Sequence, residues 1–438
     1  MKKKLLWVAL TAASCGATSE PPAPPAPPPA TGVPVVTSTP VPHPVRVIQP
    51  LPVARPEEVG MAPSVLAAVD SLMNAAIANG ATPGASVAIG RHGRVIKLQG
   101  YGNLDYRPGF AAVTDSSIYD LASLTKVVAT TTAAMILFER GALRLDEPLA
   151  TYLPELRQYP DKQHITARNV LLHNAGFRSF APLYRTAQGR EQYLRGILDL
   201  PLEYQTGTGT LYSDFGPILL GIAMERITKQ PLDEFVRSQI FARLGMRETL
   251  YNPLAQSLAR SGTGAADESM ALLPRIAPTE IDTLFRKQHM HGRVHDENAF
   301  AIGGVAGHAG LFSSARDLAR FAQMMLNGGK LNDVQILSSY TISQWTRRQA
   351  DKSSRALGWD TPARNSSAGD YFSARAFGHT GFTGTSIWMD PERDLYIVLL
   401  TNRVNPTRDN QKHIALRRAI SDAVNLSITD MPTIKREW

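Results

Sequence analysis

Two stretches with strand character and a tight turn stand at opposite ends of the patterned part of this chain, and that placement limits the fold more than any other feature. Ser86-Val87-Ala88-Ile89 and Val95-Ile96-Lys97-Leu98 flank Gly90-Arg91-His92-Gly93 and read as a β-hairpin. Ser386-Ile387-Trp388-Met389 and Leu395 to Leu400 flank Asp390-Pro391-Glu392-Arg393-Asp394 in the same way. Between them the pattern is helical. Leu66, Val69, Leu72, Met73 and Ile77 recur at helical spacing before Gly80, which predicts a helix over 63–79. Leu124 to Glu139 form a second helix stopped by Gly141, and Thr166 caps a short one. Pro217 to Thr228 and Pro231 to Leu244 follow; Ser314 and Asp317 then form a capping box that opens a helix through Leu318, Phe321 and Met325. A last helix covers about 411–426. The expected fold is therefore α/β (α+β): one antiparallel sheet built from both chain ends and flanked by helices, with an inserted helical domain. The α/β part takes about 51–140 and 330–438, and the mostly helical insertion about 141–329.

Ahead of position 51 the composition changes. Pro21-Pro22-Ala23-Pro24-Pro25-Ala26-Pro27-Pro28-Pro29 runs into a Val/Thr/Pro stretch, so 16–50 reads as an extended, disordered linker that cannot bury enough apolar area to fold. Before it, Lys2-Lys3-Lys4, the apolar Leu5 to Ala13 and the small Ala12-Ala13-Ser14 have the charged start, apolar middle and small-residue exit of an export signal over 1–15. This segment resembles a bacterial lipoprotein signal, whose cleavage leaves Cys15 as a lipidated N-terminus; an ordinary cleaved signal is the alternative. The expectation is a periplasmic protein, tethered to the outer membrane through lipid on Cys15 and by no spanning segment, since no apolar run approaches the roughly 18 residues required.

The remaining composition is that of a globular protein. Hydrophobic residues make up 43% and charged residues 19%, which excludes wholesale disorder and a coiled coil. A single cysteine forbids an internal disulfide and a cysteine-rich metal centre. The net charge of +8 comes from scattered basic residues interleaved with acids, not from a cluster, so no nucleic-acid partner is expected.

Common catalytic signatures are missing: there is no Gly-x-Ser-x-Gly elbow, Walker loop, Gly-x-Gly-x-x-Gly after a strand, or His-Glu-x-x-His. What remains is Ser123-Leu124-Thr125-Lys126 at the start of the second helix. A Ser and a Lys three residues apart share a helix face, so the amine can reach the hydroxyl. The helix start also offers N–H groups and the positive dipole end to an oxyanion formed there. Val127, Val128, Ala129, Ala133 and Ala134 turn Lys126 toward the interior, where burial lowers a lysine's pKa and suits it to act as a base. A capping serine beside a surface lysine is the bland alternative.

Two further elements agree. Tyr212-Ser213-Asp214 lies in a turn before the helix from Pro217, and His379-Thr380-Gly381 precedes the C-terminal strand pair. With Ser123-x-x-Lys126, they resemble in order and spacing the three motifs of the serine β-lactamase and penicillin-binding protein superfamily. The pattern is similar to its branch of class C β-lactamases, D-alanyl-D-alanine carboxypeptidases and esterases. Leu171 to Phe177, Val294 to Ala299 and Gly303 to Ser313 look like segments of the periplasmic subgroup that contains penicillin-binding protein 4B.

The resemblance implies roles. Ser123 is the nucleophile of an acyl-enzyme; Lys126, with Tyr212, takes its proton, and Tyr212 relays a proton to the leaving group. The oxyanion sits between the N–H groups of Ser123 and Phe382. Asp214, His379, Thr380 and Gly381 border the substrate, and no metal or organic cofactor is required. Two departures bear on substrate: His379 stands where β-lactamases usually have Lys, and Asp214 where Asn is usual. Both weaken the field that would hold a substrate carboxylate. A rival centre is offered by His289, His291 and His295, of which His291-x-x-x-His295 has zinc spacing; Gly292 within the repeat and the lack of a glutamate base favour a hydrogen-bonded loop. His308, between Gly307 and Ala309, is either a border of the active site or part of a structural turn. The resulting expectation is an exported serine acyl hydrolase acting on cell-wall peptides, β-lactams or small esters. A non-catalytic, penicillin-binding-like sensor or a dedicated carboxylesterase is the alternative.

Overall fold

The computed structural model describes residues 49–254 and 272–437. The export signal with Cys15, and the proline-rich linker up to residue 48, lie outside the described residues.

The two hairpins meet in one sheet. Strands β1 (Gly84–Arg91) and β2 (Arg94–Gly102) form the first hairpin, and β7 (Ser386–Asp390) and β8 (Leu395–Thr401) the second. Antiparallel pairing of β1 with β8, with Val87 opposite Leu399 and Ala88 opposite Val398, joins the chain ends. A further strand, β6 (Phe377–Thr380), lies at the edge, giving the order β6-β7-β8-β1-β2. His379-Thr380-Gly381 thus does not simply precede the strand pair, since its first two residues are themselves strand.

Period-two alternation explains how both faces are filled. Val87, Ile89, Ile397 and Leu399 point into one apolar core with the helices Ala68–Ala78 and Ile414–Leu426, while Ala88, Val398 and Leu400 point into a larger core on the other face. The helix Ala315–Leu326 packs across β1 and β8 on that second face. It was expected in the insertion, so the α/β part begins before residue 330. Its apolar stripe of Leu318, Phe321, Ala322 and Met325 is what the sheet requires.

Helix bounds differ locally. The expected helix over 63–79 divides into Pro63–Leu66 and Ala68–Ala78. The helix after Ser123 begins with a widened, π-helical stretch, Lys126–Thr131, before the regular Thr132–Glu139. The Thr132 hydroxyl donates to Val127 O at 2.8 Å and the Thr130 hydroxyl to Gly307 O at 2.7 Å, so side chains on the widened turn and just after it serve carbonyls within it and beside it. A similar widening, Arg237–Phe241, interrupts the helix expected over 231–244.

A second sheet brings remote segments to the edge of the first. Its strands are β3 (Ile118–Asp120), β4 (Leu250–Tyr251) and β5 (Leu311–Ser314), in the order β3-β5-β4. Ser123 follows β3, and His308 precedes β5. Among the described residues, no helix is long and apolar enough to cross a membrane.

Candidate active site

Ser123 sits on a constrained turn. The residue before it, Ala122, has φ of 46°, a left-handed conformation unusual for a residue with a side chain. Buried Asp120 holds that turn by accepting the Ala122 N–H at 2.8 Å, and accepts the His295 N–H at 2.7 Å. Burial pushes the Asp120 carboxyl upward, against those two hydrogen bonds. The turn is also tied to the β6–β7 connection: the Thr383 hydroxyl donates to Asp120 O at 2.7 Å and the Thr385 hydroxyl to Leu121 O at 2.9 Å.

One helical turn later, buried Lys126 reaches back. Its Nζ donates to Ser123 Oγ at 2.8 Å, to Asp214 Oδ1 at 2.7 Å and to His308 O at 3.2 Å. Burial alone would lower its pKa, as the sequence suggested. The Asp214 carboxylate and the nearby Tyr212 phenol outweigh that effect and hold the proton on, so the net shift is upward. The expectation of a lysine with lowered pKa is thereby corrected, and the cause is the aspartate at 214.

Tyr212-Ser213-Asp214 is positioned largely through its backbone. The Ser179 hydroxyl donates to Tyr212 O at 2.7 Å, the Ser213 hydroxyl to Arg178 O at 2.7 Å, and the Asp214 N–H to Ser179 O at 3.2 Å. The last of these bonds is backbone to backbone and fixes the start of the helix Phe215–Thr228. The Ser213 N–H donates to His173 Nδ1 at 3.2 Å, and the His173 ring lies 4.6 Å from that of Tyr212. Burial keeps His173 neutral by pushing its pKa well below the ordinary value. The Tyr212 ring has Lys126 Nζ 4.9 Å and Arg355 Cζ 5.2 Å from its centroid, and its buried hydroxyl has no hydrogen-bond partner among the described residues.

His379 faces Tyr212 across 5.8 Å. Its Nδ1 lies 2.8 Å from Thr380 O, which can only accept, so Nδ1 carries the hydrogen and the buried, unpartnered Nε2 a lone pair. Burial, reinforced by the charges of Arg355 and Lys126, brings its pKa down to about 3. A side chain on Gly381 would come within 2.2 Å of Thr385 Oγ1 and 2.3 Å of Leu121 O, so only glycine allows the turn this close to the serine. Neither the Ser123 nor the Phe382 N–H donates to a backbone carbonyl among the described residues. Ser123, Tyr212, Asp214, His379, Thr380, Gly381 and Phe382 all line one cleft of about 650 Å³.

With this geometry in hand, comparison with known proteins is direct. The Beta-lactamase family profile matches residues 69–422. The chain belongs to the β-lactamase family. Members of this family are serine hydrolases. Similar curated proteins include an N-acetylmuramyl-L-alanine amidase of Bacillus subtilis (strain 168), 35% identical over 363 residues that cover 76% of this chain and 80% of the relative. Another, from Escherichia coli (strain K12) and provisionally named a D-alanyl-D-alanine carboxypeptidase, is 35% identical over 324 residues, 68% of this chain and 72% of the relative. Among solved structures, the hydrolase EstCE1 aligns with TM-score 0.63 at 23% identity, covering 83% of this chain and 99% of its own. Unliganded LovD from Aspergillus terreus, a simvastatin synthase, aligns with TM-score 0.64 at 18% identity over 84% and 100%. These two structures support the fold alone.

As a β-lactamase family member, this chain departs from the sequence-based reading in the charge of its cleft. Arg355, Arg403 and Arg417 line it with no carboxylate partner among the described residues, whereas Arg408 is paired with Glu280 and Glu297. The weak field expected from His379 and Asp214 is therefore offset by arginines that lie far apart in sequence and belong to no motif. His308 borders the site through its carbonyl on Lys126, and its Nε2 meets Asp296 Oδ1 at 2.8 Å. The histidines of the rival centre go separate ways: His289 contacts Arg107, His291 the carbonyls of Leu273 and Ile276, and His295 Glu280. No metal-binding group of His, Cys, Asp and Glu forms among the described residues.

Proposed function

We propose that the chain is an acyl hydrolase that forms an acyl-enzyme on Ser123 and cleaves amides of cell-wall peptides carrying a carboxylate, with ester cleavage as a secondary ability. The observation that carries this reading is buried Lys126 Nζ at 2.8 Å from Oγ of Ser123, which lines one cleft with Tyr212 and His379-Thr380-Gly381. Ser123 Oγ attacks the carbonyl carbon. Lys126, kept as an ammonium by Asp214, donates to Oγ and stabilises the developing alkoxide; Tyr212 takes the serine proton as it hands its own hydroxyl proton to the leaving nitrogen, and the C–N bond breaks to release the amine. The carbonyl oxygen takes up its charge between the Ser123 and Phe382 N–H groups. Water then attacks the acyl carbon and passes a proton through Tyr212 to Ser123 Oγ as the acyl C–O bond breaks, which releases the acid and returns the serine.

The guanidinium of Arg355, beside Tyr212 and in no ion pair among the described residues, supports a substrate carboxylate near the scissile bond. Similarity to an N-acetylmuramyl-L-alanine amidase favours a muramoyl-peptide amide as a second reading, alongside a D-alanyl end. Export and lipidation at Cys15 belong to the same proposal; they require labelled palmitate to enter the protein and to be lost in Cys15→Ala.

The test incubates purified protein and Ser123→Ala with fluorescent penicillin, a fluorophosphonate probe, p-nitrophenyl acetate and isolated muropeptides. Ser123-dependent labelling and turnover are expected. Turnover that survives in the alanine variant removes the mechanism; a wild type that neither labels nor turns over is a binding module.

A further inference from the structure

The peptide unit between Gly381 and Phe382 has a charged group on its far side. Arg417, on the helix Ile414–Leu426, donates from Nη2 to Gly381 O at 2.5 Å and to Thr385 O at 2.8 Å. Arg403, just past β8, donates from Nε to the next carbonyl, Phe382 O, at 2.9 Å. Its guanidinium carbon also lies 4.5 Å from the Phe382 ring centroid. Both carbonyls flanking the Phe382 α-carbon are thus held by guanidiniums.

Shape alone does not call for these charges. The connection after β6 is already tied down by the Thr383 and Thr385 hydroxyls and by the Gly381 N–H, which donates to Thr385 O at 2.8 Å. Two neighbouring guanidiniums without a carboxylate are destabilising: burial, and then the charge of Arg403, bring Arg417 down to about 9. A neutral donor would satisfy the same carbonyls with a smaller desolvation penalty. What a cation adds is a field along the amide. Pulling electron density toward Gly381 O leaves the Phe382 N–H of the same peptide more positive, and that N–H points to the other side of the unit.

We propose that Arg417 is a positioning residue acting through the Gly381–Phe382 peptide, its charge on Gly381 O strengthening the Phe382 N–H as a donor to the oxyanion on the acyl carbon. This rests on the acyl-enzyme reading above. As the Ser123 Oγ–carbon bond forms, the carbonyl π pair moves onto oxygen, and Phe382 N–H meets it; no proton leaves Arg417. Both acylation and deacylation pass through such an oxyanion, so both feel the field.

The test compares Arg417→Gln and Arg417→Lys with wild type in the full chain, on p-nitrophenyl acetate, which carries no anion for an arginine to anchor. A phenylboronic acid, which becomes a tetrahedral anion on Ser123, supplies the second readout. Arg417→Gln is expected to lower kcat about tenfold, which is ~1.4 kcal/mol, with KM within about twofold. It should weaken boronate binding by the same factor, and Arg417→Lys should recover part of both losses. Thermal melting identifies folded variants. Should the glutamine variant not fold, infrared spectroscopy of the carbonyl-labelled acyl-enzyme in the neutral Arg417→Met carries the test, because a weaker oxyanion donor raises the stretching frequency. An unchanged frequency there, kcat within about twofold of wild type in a folded glutamine variant, or a rise in KM alone overturns the proposal. Ester turnover that persists in Ser123→Ala overturns the acyl-enzyme reading instead, so the two failures are distinguishable.

Discussion

Asp214 is the departure from the family motif with the largest consequence, and a double-mutant cycle with Lys126 measures it. The pair is 2.7 Å apart, with the lysine side chain 3% and the aspartate 19% exposed. Two unit charges at that distance attract by roughly 6 kcal/mol at an effective dielectric constant of about 20. Desolvation of both ions offsets several kcal/mol of this, which leaves a net coupling on the order of 3 kcal/mol. Asp214→Asn preserves the size and an acceptor oxygen but removes the charge; Lys126→Met removes the cation. Each alone should destabilise by about 2–4 kcal/mol, and the double variant should cost about 3 kcal/mol less than the sum. Urea unfolding at pH 7 with unchanged m-values is the assay. The sign with pH follows from the raised lysine pKa: the contribution is fully present below the ordinary lysine range and is lost as pH rises through the folded value. In Asp214→Asn, burial is left as the dominant influence, so Lys126 gives up its proton more readily and the pH profile of acylation gains a lysine limb absent from wild type. A coupling below about 0.5 kcal/mol, or identical pH profiles, would refute the reasoning.

Arg355→Gln should raise KM for a carboxylate-bearing peptide about 10- to 100-fold, the worth of a charge-assisted hydrogen bond, and leave p-nitrophenyl acetate kinetics unchanged; equal effects on both would place Arg355 outside carboxylate recognition. His413 is buried, its ring nitrogens have no partner among the described residues, and burial, with Arg417 and Arg403 nearby, brings its pKa down to about 3. The unfolded chain therefore binds a proton there that the folded one refuses, and stability falls as pH drops from about 6.5 toward 3. His413→Asn should flatten that slope by up to about 1.4 kcal/mol per pH unit, read from urea midpoints between about pH 4 and 6; an unaltered slope would show that His413 does not stay neutral.

What the sequence made legible follows from the range over which each signal acts. Hairpins, helix stops and the Ser314 cap depend on neighbours a few positions away, and the structure places all of them where the pattern does, within a few residues. Ser123 and Lys126 share one helix turn, so their contact was readable without any fold. Convergence with Tyr212 and His379 was not: it needs β3 and β5 to meet beside the edge strand β6, and only the resemblance to known motifs stood in for that knowledge. Electrostatics was the least legible. Burial was rightly expected at Lys126, yet its protonation is decided by Asp214, whose distance of 2.7 Å no periodicity encodes. The same holds for Arg355, Arg403 and Arg417, which come from a loop, a strand end and the last helix. Each reads as an ordinary basic residue in a chain of net charge +8, and their meaning lies in facing one cleft with no carboxylate paired to them among the described residues. A site of this kind is assembled from short motifs that position atoms and dispersed charges that set their protonation, and only the first leaves a local trace in sequence.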